Sequence, residues 1–592
     1  MLIFDIEADD LVRDATRIHC IVTKDTSSLD VTSYGPSTIK DGLLALSNAD
    51  VIVGHNICGY DVPLIRKFYP EWSCRKCIDT LVLSKLYMPE KQSHSLDTYG
   101  SFFKRKKPEH KDWSQYSPEM LHRCMEDVEI NHMLYEWLMK KEKYEKWEEA
   151  IRLEQEVSYY HLYQTLEGVG VDVELAKDTI TKVDVEVDAI SNRLMKEVPK
   201  RCIKAYSVPI NKPFLKSGEY SNAAKSWMGP LVNTVHAPFS RISFEDINLN
   251  SHEQVKSFLF TQGWVPTTYN FKREEDGSYT KTSPKLTEDS YDSIKGDLGQ
   301  LIARRNVLRH RRNTIHNYND ESKGILGLLR DDGRVPSDAD TCGTPTSRYT
   351  HRGAICNVPG ARAVLGKEMR SIFCEKPPYL FFGADLSAIE ARVMGHYTYP
   401  YDEGEYAKEL LDGDIHSKNA ELIGRDRDTA KTFLYALMYG AGITKLSTIL
   451  TCTVREAEVL INNFWEGNKS LTSLIDDLKR YYKMHGHIVG LDGRTLFIRS
   501  EHKLLNSLIQ SAAAIIFKRW LVLANRKIRE ANIDAAITIS YHDEVDGYCL
   551  PKDKEELESI LTSTVKKAGE YYNLRVPVGS DVKFGSNWYE CH

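Results

Sequence analysis

Residues 538–548 read TISYHDEVDGY and set Asp543 and Glu544 side by side at a tight turn, behind His542. Anions held together repel one another unless a cation lies between them. A second cluster starts at the N-terminus in LIFDIEA. In a strand, positions i and i+2 share a face, so Asp5 and Glu7 project together and Phe4 and Ile6 go to the other side. HNICGYD puts Asp61 after a buried strand, and HRCMED puts Asp127 early in a helix. All-oxygen ligands suit a hard ion such as magnesium or manganese. Four acids from separate segments could hold two such ions, which orient a water for in-line attack on phosphorus. In GADLSAIEAR, Asp385 ends an apolar strand and Glu390 rides on the following helix. A strand-end Asp385 and a hairpin-tip Asp543 could share a second ion pair suited to phosphoryl transfer. Taken singly, each pair reads more readily as solvated acids at a strand end or turn.

Between these acids, RDTAKTFLYALMYG spaces Arg427, Lys431, Tyr435 and Tyr439 four apart. On a helix they form one slanting stripe, cationic first and aromatic after. Cations suit a triphosphate, and phenol rings suit a sugar or base face. An amphipathic helix with exposed bases and two core tyrosines would show the same pattern.

The elements that position these residues come from a chain of 592 residues, long enough for three to six domains. Hydrophobic content of 42%, charged content of 27% and a net charge of -6 describe an ordinary globular protein without a global basic character. Cys74 and Cys77 form a CxxC with no second pair, so the twelve cysteines read as reduced thiols. No apolar run approaches a membrane span and the acidic N-terminus is no signal peptide, which predicts a cytoplasmic protein without membrane contact. No solenoid repeat is visible.

The first 100 residues read as α/β, with strands in LIFDIEA and VIVGHN (51–56) and a strand or helix in DTLVLSKLY (79–87). Ser117-Pro118-Glu119 starts a helix, and mostly charged helix runs on to about 196. Residues 199–250 are rich in Pro, Gly, Ser and Asn and read as an insertion or loop region. A basic helix, ARRNVLRHRRN (303–313), follows. Beyond 330 come strand YLFFGAD (379–385), helices through the 400s, and strand ITISY (537–541).

DIEA, HNxxxYD, CIDTLVLS, GDIHSKN, AKTFLY, MYGAG, GLDGR, LLNSLIQSA and GSNWYECH occur in this order. With them the chain resembles, nearly end to end, a family A DNA polymerase of the kind that replicates short-tailed bacteriophages, and it is similar also to the Klenow-type bacterial enzyme. The resemblance implies a multidomain α/β protein. An RNase H-like 3′–5′ exonuclease domain would span residues 1–145. A linker helix and thumb would span 146–330, with the insertion near 199–250. A right-hand polymerase would fill 331–592, with palm at about 331–395 and 500–592 and fingers at about 396–499.

It further implies DNA-directed DNA synthesis with proofreading, primer-template DNA and dNTPs as partners, and two Mg2+ (or Mn2+) per active site. Asp385 and Asp543 would be the polymerase metal ligands, Leu386 would lend its carbonyl, and Glu544 would be the neighbouring acid. Arg427, Lys431 and His416 would hold the triphosphate. Glu390 would exclude a 2′-hydroxyl, Tyr435 would stack on the incoming sugar and admit dideoxynucleotides, and Tyr439 would guard the template position. His542 would touch the primer end; Arg348, Arg370, Asn506 and Gln510 would contact DNA. Arg304, Arg305, Arg309, Arg311 and Arg312 would track phosphates, which makes binding salt-dependent. Asp5, Glu7, Asp61 and Asp127 would hold the exonuclease metals.

The chain departs from this pattern twice. Where phage and Klenow-type exonucleases carry a tyrosine four residues before the last metal aspartate, this chain has Arg123. His122 stands five before Asp127, the spacing of the superfamily branch whose histidine activates the water, and imidazole titrates near working pH. His122 is therefore the expected base, although five helical residues put it about 140° round from Asp127 unless the helix begins late. Residues 199–250 also look shorter and less lysine-rich than the thumb insertion by which the best-known phage relative grips thioredoxin. Thioredoxin is accordingly not the expected processivity factor; another factor or none is, beside a replicative helicase or primase. Two other readings share features: a single-subunit RNA polymerase, against which Glu390 and the exonuclease acids speak, and a catalytically silent DNA-binding replication protein, against which Asp385, Asp543, Arg427 and Lys431 speak.

Overall fold

The computed structural model describes residues 1–140, 147–204, 212–228, 242–274 and 279–591. They divide into two compact units, residues 1–172, 328–357 and 370–592 in the larger and 173–327 with 358–369 in the smaller.

In the larger unit, alternation fixes the first sheet. Strand β1 (Leu2–Ala8) sends Phe4, Ile6 and Ala8 into one core, with Leu43 and Ile65. Ile3 goes to the opposite core with Val22, Val128 and Leu134, so Asp5 and Glu7 share the face that helix Pro118–Met139 covers. Strands β2 (Ile18–Asp25), β3 (Val31–Tyr34), β4 (Ile52–Gly54) and β5 (Cys77–Asp79) complete the order β3-β2-β1-β4-β5. Pairing is antiparallel from β3 to β1 and parallel from β1 to β5. Residues 80–87, open between strand and helix in sequence, are helical, with Asp79 capping Leu81 N at 2.9 Å. Ser117 caps the long helix by accepting from Met120 N at 3.1 Å, and Pro118 occupies its first turn. Asp127 therefore sits near the middle of this 22-residue helix, not early in it as expected.

The second sheet of this unit is antiparallel, in the order Ala535–Tyr541, Glu544–Cys549, Leu380–Leu386, Ser580–Gly585. Helices Leu504–Ala531 and Lys554–Tyr571 pack together beside it; Trp520 is fully buried and donates to Leu561 O at 3.0 Å. Truncating such a side chain to Ala costs about 3–5 kcal/mol. Against the sequence expectation, the stretch Glu501–Ala531 is long and apolar enough to cross a membrane (mean hydropathy 1.4). The protein itself buries 83% of that window, the mark of a core helix.

Helix Glu148–Glu167, expected as the linker helix at the start of 146–330, belongs to this larger unit. Its buried Glu154 accepts from Arg494 (2.7 Å) and Lys518 (2.5 Å), and Arg494 is also paired with Asp492 at 2.6 Å. Removing one member of such a buried set typically costs about 3–5 kcal/mol, because the others keep uncompensated charge. All twelve cysteines are free.

The smaller unit packs helix Val173–Glu197 on helix Asp297–Ile315 around Val183, Leu194, Leu259 and Leu308. Within the expected insertion, Arg201–Lys204 pairs antiparallel with Ile242–Glu245, and a short helix spans Asn222–Met228. Its residues 205–211 and 229–241 lie outside the described residues.

The arginines expected to track phosphates are engaged by this unit itself. Arg305 and Arg311 are buried. Arg305 donates to Ser191 (2.7 Å), Leu249 O (3.1 Å) and Asn250 (2.9 Å), and Arg311 grips Glu288 at 2.7 Å. Arg304 pairs with Glu186 (2.9 Å), Arg309 donates to Asn250 (2.6 Å), and Arg312 stacks on Tyr318 and faces Asp184 at 3.4 Å. Burial demands these partners. Arg305, Arg311 and Arg312 are thus internal clamps; Arg304 is exposed and Arg309 half-buried, each already paired.

Candidate active sites

Asp385 sits at the end of a strand whose Phe381, Phe382, Ala384 and Leu386 are buried while Asp385 itself is exposed. Strands 535–541 and 544–549 close in a two-residue turn, His542-Asp543, with Tyr541 opposite Glu544. His542 has φ +58°, a left-handed conformation that costs a non-glycine residue energy and that tight turns require. Asp385 lies opposite Glu544 in register, and Leu386 N donates to Asp543 O at 3.1 Å. The strand end and the hairpin tip are thereby locked side by side. Burial raises the Asp543 pKa, the Arg348 charge opposes this, and Glu390 and Glu544 reinforce it.

Glu544 and Asp546 sit beneath, buried on the same face of their strand. Glu544 accepts from Trp588 at 3.2 Å, and burial, reinforced by the Glu544 charge, raises the Asp546 pKa well above the ordinary carboxylate value. Asp546 escaped the sequence reading, which took HDE as the whole motif. Arg370, expected on DNA, is buried and stacks on the Trp588 ring at 4.2 Å, so it supports the sheet from inside.

Glu390, on helix Ile389–Asp402, accepts from the Tyr439 hydroxyl at 2.7 Å and faces Arg348 at 3.7 Å. Asp426 caps helix Arg427–Met438 by accepting from Thr429 N at 2.9 Å. Lys431 is exposed and Tyr435 half-buried; Tyr439 is the capping residue just past the helix end. Burial raises the Tyr435 pKa, helped by the Glu390 and Asp543 carboxylates. His416 caps the group: burial lowers its pKa and the Lys431 and Arg427 charges push the same way. Arg427 is engaged by Asp414 at 2.7 Å, whose carboxyl is held well below its usual range. A cavity of about 370 Å³ is lined by Arg348, Asn506, Gln510 and His542, and also by Arg499 and Lys503. Those last two were missed, although RSEHK carries the charge in plain view.

The N-terminal acids meet on the β1 face. Ligand atoms of Asp5, Glu7 and Asp127 all lie within 4.8 Å of one another, the one such group among the described residues. Asp61, at the start of helix Asp61–Phe68, is buried beside them; its pKa is raised well up by burial and by the Asp5 charge. Burial and neighbouring carboxylates push Asp5 up to about 7 and Glu7 to about 9. Lys107 holds Asp127 at 2.5 Å and Arg123 approaches Glu7 at 3.7 Å. All six residues line a cavity of about 530 Å³. Lys107 belongs to the basic run KRKK at 104–107.

His122 is corrected. The helix begins at Pro118, so no late start rescues the five-residue spacing. His122 is exposed on another side of the helix, next to Glu126, and does not line the cavity. Arg123, one turn before Asp127, does.

The model of DNA polymerase family A matches residues 219–590. The chain is 26% identical over 722 residues to the DNA-directed DNA polymerase of Escherichia phage T7, covering all of both chains. It is 28% identical over 485 residues to that of Escherichia phage Phieco32, covering 65% of this chain and 77% of the relative. To DNA polymerase I of Bacillus caldotenax it is 25% identical over 384 residues, covering 61% and 42%. In fold it is similar to the POL domain of Pol1 from M. smegmatis, solved with DNA primer-template and dNTP, with a TM-score of 0.73 at 18% identity, covering 100% of this chain and 96% of that one. With the matched model spanning well over half its length, the chain belongs to DNA polymerase family A.

Proposed function

We propose that this DNA-directed DNA polymerase adds dNTPs to a primer 3′ end at Asp385 and Asp543, and removes mispaired ends at Asp5, Glu7, Asp61 and Asp127. The reading rests above all on the 3.1 Å bond from Leu386 N to Asp543 O, which brings two carboxylates from distant segments together. Divalent cations fit both places. At the first, two acids and the Leu386 carbonyl offer only oxygen; at the second, buried oxygens of Asp61 and Asp127 have no hydrogen-bond partner. Oxygen-only sets of this kind favour Mg2+, with Mn2+ as a substitute. Bound there, the cations would neutralise phosphate charge and lower the proton affinity of the attacking hydroxyl or water.

The side chains supply the rest. Lys431, Arg427 and His416 line one side of the nucleotide path and bind the triphosphate, Arg427 leaving Asp414 to do so. Tyr435 presents its ring to the sugar. Glu390, held by Tyr439, fills the space a 2′-hydroxyl would need. Arg348, Asn506, Gln510 and His542 surround the nascent pair. At the second site, Lys107 and Arg123 bind the scissile phosphate; a guanidinium cannot act as base. The sheet order 3-2-1-4-5, antiparallel then parallel, supports an RNase H-like exonuclease domain in residues 1–145. Residues 173–327 serve as thumb, and residues 331–592 as palm and fingers. Phage relatives support replication in a bacterial cytoplasm as the setting.

The test is primer extension with magnesium by the parent and by Asp543→Asn, beside shortening of single-stranded DNA by the parent and by Asp5→Ala plus Glu7→Ala. Extension that survives Asp543→Asn, or shortening that survives the double change, would remove the corresponding half of the reading. Preference for ATP over dATP would indicate an RNA polymerase instead.

A further inference from the structure

One short segment of the polymerase part reaches both cavities. Ala339–Asp340 pairs antiparallel with Thr350–His351, Ala339 opposite His351. Arg348, in the loop between them, lines the cavity of the palm hairpin. His351 packs on that hairpin, its ring 4.7 Å from Tyr541 and 5.9 Å from His542. Successive residues of an extended chain point opposite ways. Arg352, next in line and fixed by its N–H to Asp338 O at 2.8 Å, lines the other cavity, the one that holds Asp5, Glu7 and Asp127.

The state of Arg352 suits a ligand rather than a fold contact. Its side chain is 62% exposed, and its nearest acid, Asp340, is 3.7 Å away, beyond hydrogen-bond range. Asp340 is already neutralised by Lys85 at 2.8 Å and accepts from Cys342 N at 3.1 Å. A guanidinium with no hydrogen-bond partner among the described residues, in a cavity proposed above to cleave phosphodiesters, matches a backbone phosphate. The resemblance gave no role to this residue.

We propose that Arg352 is a positioning residue of the exonuclease site, supplied by the polymerase part, which binds a backbone phosphate of the single-stranded primer end. The inference rests on the exonuclease reading above. Arg348 and Arg352 then bracket the path of a frayed primer end: the one faces it while paired, the other receives it once it has left the palm.

The experiment uses the full-length chain with Arg352→Ala and Arg352→Lys. On single-stranded oligonucleotides the Ala variant is expected to raise KM for excision about ten-fold with kcat little changed, the loss of one charge-assisted contact. The slope of log affinity against log salt should fall by about one, and Lys should restore most of both. Extension of a fully paired primer should be unchanged, which shows the hairpin intact. The same KM and salt slope in parent and Ala variant would overturn the proposal. So would an equal loss of paired extension, which assigns Arg352 to the hairpin's own structure. Failure of the parent to shorten DNA is a separate result and overturns the exonuclease reading together with this inference. Binding of the oligonucleotide in EDTA, in an Asp5→Ala plus Glu7→Ala background, reads the Arg352 contact independently of cleavage, and no change there also overturns it.

Discussion

The two acidic sites of the larger unit solve the same electrostatic problem in opposite ways. The N-terminal cluster is folded shut around its charge: three carboxylates converge on one face of β1, and Lys107 and Arg123 neutralise them from within the cavity. The palm pair is built at an edge. Asp385 is exposed, Asp543 is at a turn, and the cations of the nucleotide helix stand apart, Arg427 held by Asp414. On the proposed function, the N-terminal site only cleaves and can keep its charges assembled, whereas the second must admit a new nucleotide at each cycle and keeps its cations loosely held until the triphosphate arrives. The largest expected effect tests the open site. Asp543→Asn or Asp385→Asn should lower primer extension by at least roughly 10²–10³-fold while leaving excision within about two-fold. Equal loss of both activities would mean that the sites are not independent and would break the comparison.

A smaller effect tests the closed site. Arg123→Ala should lower excision by roughly 10–100-fold, because it removes a cation from among buried carboxylates and a donor for the phosphate. His122→Ala should leave excision and extension near parent values. A reversed result, His122 essential and Arg123 silent, would restore the imidazole as base. Smaller still is Tyr439→Phe. It removes the 2.7 Å bond that holds Glu390, so discrimination against ribonucleotides should weaken by about three- to ten-fold, measured as the ratio of kcat/KM for dATP and ATP. An unchanged ratio would mean that packing alone holds Glu390.

How much of this was legible in sequence follows the range of the interaction. Strand alternation is local, so DIEA gave β1 and the shared face of Asp5 and Glu7. Ser117-Pro118 gave the helix start, and with it the evidence against His122 was already present as an angle. Arg427, Lys431 and Tyr435 fell on one helix as their spacing predicts. What failed was whatever depends on a partner far along the chain. Arg305 and Arg311 look like any basic helix until Asn250 and Glu288 arrive from other segments. Arg370 reads as a surface cation until Trp588 lies under it. The 501–531 stretch was judged by runs of apolar residues, which interspersed polar side chains interrupt; Lys518, for one, is buried only because Glu154 meets it from another segment.

The smallest effect concerns the closed site's proton balance. Asp5 and Glu7 have folded pKa values pushed up to about 7 and 9, from ordinary values of 3.8 and 4.5. Between the ordinary and the raised values the folded chain binds more protons than the unfolded chain, so stability falls as pH rises through that window. In EDTA, Tm should therefore be lower at pH 9 than at pH 6, by roughly 1–3 °C more in the parent than in Asp5→Asn plus Glu7→Gln, which carries no such burden. Magnesium should change the sign of the slope. The cation binds the deprotonated ligands, so its stabilising effect should grow with pH, and should be small at pH 6. A magnesium effect as large at pH 6 as at pH 9, or one that persists unchanged in the Asn/Gln variant, would mean that the closed site does not hold the ion and that the contrast between the two sites lies elsewhere.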